Sequence, residues 1–291
     1  MNHYIVKHKL TDVNILEKIY PFYNSALHPH CFKTISLQKK DNMSSKIKVI
    51  GFDADDTLWV NEPYYRETED KFCEMLKEYF PKKKIEEELF NIEINNLELY
   101  GYGIKAFTLS LIETALKISD SKVPTSTINR IVEMGKEQLN KPNHLLNGVN
   151  HVLETLKPNY KLIVATKGDL LDQERKLKNS NLIQYFHHIE IMSDKQESNY
   201  KDLLKHLEIE PQEFLMVGNS LKSDILPVLN LGGYGVFIPF HITWQHEHVD
   251  ESEVSNPRFY KVNALSELLE INLLQKAKLK SIYTHPKPQR Q

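Results

Sequence analysis

The sequence holds only 2 cysteines, Cys31 and Cys73, in 291 residues. So few excludes a disulfide framework, and their separation gives no metal-ligand spacing. Two lone thiols fit a reducing compartment. An excess of one charge is also lacking, since 37 Lys and Arg stand against 39 Asp and Glu for a formal net charge of −2. A nucleic-acid partner is therefore not expected, because no basic surplus exists to neutralise a phosphate backbone. No run approaches the roughly 18 uninterrupted apolar residues of a membrane span. The opening MNHYIVKHKLTDVN lacks the apolar stretch of a secretory signal. Internal repeats and low-complexity blocks are absent. These absences lead to the expectation of a soluble, cytoplasmic protein, monomer or homodimer. Its 41% hydrophobic content suffices for one large core or two modest ones.

Residues 1–45 carry scattered aromatics, histidines and lysines without a sustained period. They read as a poorly ordered N-terminal extension, with Met43 as an alternative natural start. Five short apolar runs follow, at Ile47–Phe52, Leu162–Ala165, His188–Ile191, Phe214–Val217 and Tyr234–Ile238. Each has the length and composition of a strand in a buried parallel sheet. Helical patterns at Leu170–Lys178, Tyr200–Leu207 and Ile225–Leu231 separate the later runs. Strands alternating with helices predict an α/β, doubly wound, Rossmann-like core.

The long interval between the first two runs breaks that rhythm. It reads as four helices, Tyr64–Phe80, Ile85–Leu99, Ile104–Ile118 and Thr127–Leu139, and Gly148–Leu156 then leads into the second strand. The expected organisation is a core of residues 46–61 and 144–262 with an inserted helical cap of residues 62–143. A C-terminal part, 263–291, would hold an amphipathic helix from Ala264 to about Lys278 and a disordered tail.

Chemistry concentrates at Asp53-Ala54-Asp55-Asp56-Thr57, just past the first strand. That edge is where open parallel sheets bind ligands. Three acids in four positions repel one another and raise each other's pKa. A divalent cation removes the conflict, and carboxylate oxygens are the ligands Mg²⁺ prefers. A solvated acidic turn would need only one such acid. Three further positions follow later strands: Thr166, Lys195, and Asn219 with Asp224 after Gly218. Taken singly, these are an ordinary turn residue, a solvated lysine, and a loop acid near a helix N-terminus.

In this order the four positions resemble the motifs of the haloacid dehalogenase-like (HAD) hydrolase superfamily, over about Lys46 to Pro239. DxDxT is matched by Asp53, Asp55 and Thr57, the hydroxyl motif by Thr166, the lysine by Lys195, and the acidic pair in part by Asn219 and Asp224. The resemblance implies a phosphohydrolase acting on a small phosphorylated metabolite. Asp53 would be its nucleophile and Asp55 its general acid and base. Thr166 and Lys195 would position the phosphoryl oxygens. Mg²⁺ would be held by Asp53, the Asp55 carbonyl and Asp224, with Asn219 joining through its oxygen or through a metal-bound water. Asp56 stands where many relatives have glycine, and the neutral Asn219 removes one negative charge from the metal site. A phosphomutase and a non-catalytic binding protein on this scaffold are the alternatives. True dehalogenases of the family lack an acid at the position of Asp55.

Two segments remain open. Tyr100–Lys105 lies between cap helices, where Tyr102 and Lys105 either read the leaving group or merely connect and pack. His241, His246 and His248 invite zinc, but no cysteine or second cluster accompanies them.

Overall fold

The structure, a computed structural model, describes residues 47–274. The expected extension at 1–45 and the tail beyond 274 lie outside the described residues. The core strands are β1 (Val49–Phe52), β2 (Lys161–Lys167), β3 (His188–Met192), β4 (Phe214–Gly218), β5 (Tyr234–Phe237) and β6 (Phe259–Lys261). They form one parallel sheet in the order β3-β2-β1-β4-β5-β6. All of β1 is buried because neighbours cover it on both edges and both faces. This explains its unbroken apolar run.

The sequence reading found the first five strands. It missed β6, whose three half-buried residues, FYK, are too short to show a period. The C-terminal expectation is corrected as well. In place of an α-helix from Ala264, two 3-10 turns occupy Leu265–Glu270 and Asn272–Leu274. Ile271 is extended between them, at ψ 126°. The i, i+3 pair Leu265 and Leu268 is buried, and the break lets Leu273 and Leu274 bury too. A continuous helix would have rotated some of these side chains away.

Between β1 and β2 lie α1 (Glu62–Leu76), α2 (Lys82–Tyr100), α3 (Ile104–Ile118), α4 (Thr125–Leu139) and α5 (Val149–Leu156). Phe72, Leu76, Ile85, Leu89, Phe107, Leu111, Ile131 and Met134 make a core of their own for this insertion. The sheet has three others among the described residues, one around Phe52, Trp59, Val164 and Val217, one around Ile163, Tyr200 and Phe214, and a small one around Leu221, Ile225 and Phe237. Two passages of chain join cap to core. They meet where Trp59 pairs with Leu145 as an antiparallel bridge and the Val60 N–H donates to the His144 carbonyl at 2.9 Å.

The remaining helices are α6 (Leu170–Ser180), α7 (Glu197–His206) and α8 (Leu226–Asn230). The expected helix at Ile225–Leu231 is preceded by a π turn over Leu221–Ile225, with Pro227 opening the α-helical part. The wide turn accommodates the site residue Asp224. Among the described residues no helix is long and apolar enough to cross a membrane.

Candidate active site

Every strand that contributes to the site does so at its C-terminal end. Asp53 continues β1, and its N–H donates to the Val217 carbonyl of β4 at 2.9 Å. Asp53 is 7% exposed and Lys195, from the loop after β3, is 2% exposed. The Lys195 ammonium bridges two carboxylates, Asp53 Oδ1 at 2.5 Å and Asp224 Oδ1 at 2.6 Å. Burial alone would lower the Lys195 pKa, but Asp224 and Asp53 hold it well above its ordinary value. Asp53 shows the reverse balance. Burial raises it, Lys195 lowers it, and Asp224 raises it again, leaving it at about 7. A carboxylate nucleophile needs more positive charge than one shared lysine supplies.

The Asn219 amide shows where that charge would sit. Its oxygen position lies 3.2 Å from the Thr57 hydroxyl, the Asp55 carbonyl oxygen and Asp53 Oδ2. Turned one way, the amide NH₂ donates to all three. Turned the other way, its oxygen joins a carbonyl and a carboxylate in a set of hard donors suited to Mg²⁺. The donor set fits the cation. Asp224 stands beside it with both oxygens engaged, Oδ1 by Lys195 and Oδ2 by the Ser220 N–H at 3.0 Å. Only glycine is tolerated at 218, because a methyl group there would overlap the Asp224 carboxylate.

The three acids of the opening motif do not converge. Asp56 turns away, and its carboxylate accepts the N–H groups of Asn61 at 2.8 Å and Glu62 at 2.9 Å, at the start of α1. Its backbone is left-handed, at φ 60°. That is the conformation glycine adopts freely and Asp tolerates. Asp55 is separately held. Trp59 Nε1 donates to it at 2.7 Å, Gln173 Nε2 at 2.8 Å and Lys176 Nζ at 3.0 Å. Burial would lower the Lys176 pKa, but Asp55 and Asp172 raise it above its ordinary value. Thr166, 1% exposed, is the last residue but one of β2 and accepts from Gln173 at 3.3 Å.

Sequence reasoning missed this support. Gln173 and Lys176 are three apart on α6, so they share the face turned to the sheet end. A polar pair on the buried face of a helix just after Thr166 is the signal that was available. Lys167 was missed too. Its ammonium pairs with Glu247 at 2.5 Å and donates to Ser223 Oγ at 2.9 Å. Glu247 also accepts from the hydroxyls of Ser220 and Ser223. Burial would raise the Glu247 pKa, but Lys167 and the hydroxyls bring it down to about 2.

In the histidine-rich loop, then, it is the acid that reaches the site. The His241 ring packs on Phe240 and the His246 ring on Trp244. His241, His246 and His248 are not gathered for zinc. Among the described residues the one grouping of His, Cys, Asp and Glu side chains close enough to share a metal is His188, Glu190 and His206, elsewhere on the surface.

The cap closes over these groups to leave a cavity of about 190 Å³. Tyr102 lines it, under the Lys167 ammonium at 4.1 Å and edge-on to Trp244. Lys105 does not line it. That side chain is 56% exposed and pairs with Asp169 at 2.9 Å, joining cap to core. Of the two expected cap residues, the structure brings Tyr102 to the cavity and leaves Lys105 outside it, paired with Asp169.

The chain matches the haloacid dehalogenase-like hydrolase family model over residues 47–232. No curated protein matches it. Among solved structures, a haloacid dehalogenase-like family hydrolase from Xanthomonas campestris is 34% identical, with a TM-score of 0.71. The match covers 81% of this chain and 95% of that one. The HAD hydrolase YfnB from Bacillus subtilis, solved bound to magnesium, is 14% identical at a TM-score of 0.53, covering 79% and 99%. A 2-haloacid dehalogenase from Pseudomonas syringae pv. tomato is 19% identical at a TM-score of 0.52, again covering 79% and 99%. The latter two share the fold. With a family model spanning most of the described chain and 34% identity to the Xanthomonas hydrolase over the 81% of the chain that matches, the chain belongs to the haloacid dehalogenase-like hydrolases.

Proposed function

We propose that this hydrolase is a magnesium-dependent phosphomonoesterase acting through an aspartyl-phosphate on Asp53. The observation that carries the reading is a second carboxylate, Asp55, fixed by three donors in the cavity that Asp53 also lines. Cleaving a carbon–halogen bond releases halide, which needs no proton. Releasing an alcohol from phosphorus does need one, and in this reading Asp55 gives it.

In the first step an Asp53 oxygen forms a bond to phosphorus while the bond to the ester oxygen breaks. The departing oxygen takes the Asp55 proton and leaves as the alcohol. Asp55 then removes a proton from water, which attacks the aspartyl-phosphate. The bond between phosphorus and Asp53 breaks, inorganic phosphate leaves, and Asp55 is protonated again. In this reading Thr166 and Lys195 hold the non-bridging oxygens, where positioning and charge neutralisation do most of the work. Mg²⁺, when bound, would neutralise charge between the phosphoryl group and Asp53. Asp53, the Asp55 carbonyl and Asn219, with Asp224 alongside, would hold it. Cation binding also favours the ionised nucleophile, whose pKa burial holds near 7.

Asp53→Asn should lower phosphate release from p-nitrophenyl phosphate to background, and chelating Mg²⁺ should do the same to the unmodified chain. Retained turnover in Asp53→Asn, or release of halide from a 2-haloacid in place of phosphate, would refute the assignment.

A further inference from the structure

The core and cap walls of the cavity differ in charge. Its three core cations, Lys167, Lys176 and Lys195, are committed to Glu247, Asp55, and Asp53 with Asp224 respectively. The cap wall carries three acids, Glu62, Glu69 and Glu93, and its described residues include no Lys, Arg or His. Arg66 pairs with Glu62 at 2.9 Å and Glu69 at 2.8 Å. Glu93 has no hydrogen bond or ion pair among the described residues. Burial and the neighbouring Glu69 and Glu62, only partly offset by Arg66, push Glu93 up to about 8. A second observation points the same way. Gln173, 2% exposed and lining the same cavity, has a buried carbonyl oxygen with no donor. The two walls face one cavity, lined by Tyr65, Glu62 and Glu93 on the cap side and by Asp55 and Asp172 on the core side.

We propose that the cap selects phosphomonoesters whose alcohol carries an ammonium group, with Glu93 as its counter-charge. This rests on the phosphomonoesterase reading and names its substrate class. A second anion on the substrate, a carboxylate or another phosphate, would meet unpaired acid on the cap wall and no free cation among the described residues that line the cavity. A cationic amine brings the missing partner to Glu93 and donors for the wall's acceptors. Phe107, Ala106 and Leu97 add apolar lining to the same cavity, against which a carbon chain can pack.

The probes are three esters of similar size: 2-aminoethyl phosphate, ethyl phosphate and carboxymethyl phosphate. The unmodified chain should show kcat/KM at least about tenfold higher for the amine than for ethyl phosphate, and lowest for the carboxylate. Glu93→Gln should collapse the amine-to-ethyl ratio toward one. Glu69→Gln serves as a second variant if that protein is recovered poorly. A ratio measured within one preparation does not depend on how much of it is folded. A carboxylate preference, or an unchanged ratio in both variants, would overturn the proposal. Calorimetric binding of the same esters to Asp53→Asn separates the two claims. Amine selectivity there, without p-nitrophenyl phosphate turnover by the unmodified chain, sinks the phosphatase reading and keeps the ammonium site. Turnover without selectivity does the opposite.

Discussion

At the scale of single residues, the acids of the opening motif have three different environments. Asp56 is the one whose effect is on stability. Burial pushes its carboxyl from 3.8 to about 8, opposed by the backbone donors of Asn61 and Glu62. Between those pH values the folded chain keeps a proton that the unfolded chain releases. Folding stability from this group is therefore full below about pH 4 and is lost as pH rises through about 8. Asp56→Asn keeps an acceptor for the α1 N–H groups and tolerates the left-handed backbone. It should flatten the fall of Tm between pH 5 and 8, measured with a chelator present. A slope equal to that of the unmodified chain would contradict this.

Asp55 depends instead on Lys176. With Lys176→Met it loses one of its three anchoring donors. For an alkyl phosphate kcat should fall about 10²-fold with KM little changed, the size of a general acid–base contribution. For p-nitrophenyl phosphate, whose leaving group needs little protonation, the loss should be several-fold smaller. Equal losses on both would show that Lys176 matters only for folding.

At the scale of elements, the turn from β4 into α8 positions Asp224 and, through it, Lys195 at the cavity. The π turn at Leu221–Ile225 brings Asp224 back against Gly218, and the Asp224 carboxylate then holds Lys195. Gly218→Ala cannot be absorbed by a flexible side-chain tip, since Asp224 is 1% exposed and fixed at both oxygens. Overpacking of this kind costs about 1–3 kcal/mol. The displaced pair should also lower kcat/KM by at least about 10²-fold. Thermal unfolding and phosphatase assays on the same sample check both. The substitution would be harmless only if β4 and the turn separated, which the register of β4 with β1 and β5 resists.

At the scale of the whole molecule, function depends on the cap meeting the core. Two contacts do this differently. Lys105 and Asp169 form an exposed pair, worth no more than about 1 kcal/mol. Lys105→Ala should change kcat/KM by less than about fivefold, and the difference should vanish in high salt. Tyr102 lies against Lys167 and Trp244 at the cavity itself. Gly103, at φ 107°, lets its loop approach the Asp169 backbone closely. Tyr102→Ala should raise KM about tenfold, the cost of one aromatic contact, and should change the emission of Trp244. Because Trp59 is fully buried, Trp244 is the tryptophan able to report cap closure.

The sequence by itself determined the sheet, the inserted helices and the order of Asp53, Thr166, Lys195 and Asp224 along the strand ends. Buried parallel strands leave unbroken apolar runs, and residues that end them must share one edge, so a local pattern carries global information. Only the tertiary structure decided the rest. Gln173, Lys176, Lys167 and Glu247 owe their importance to partners as far as 121 positions away. No local period marks such pairings. Asp56, an equal member of an acidic triplet in sequence, was turned to a helix terminus by one left-handed residue. The charge of the cap wall likewise emerged only when α1, α2 and α3 folded over the sheet. A lone glutamate on a helix looks solvated until another surface closes on it.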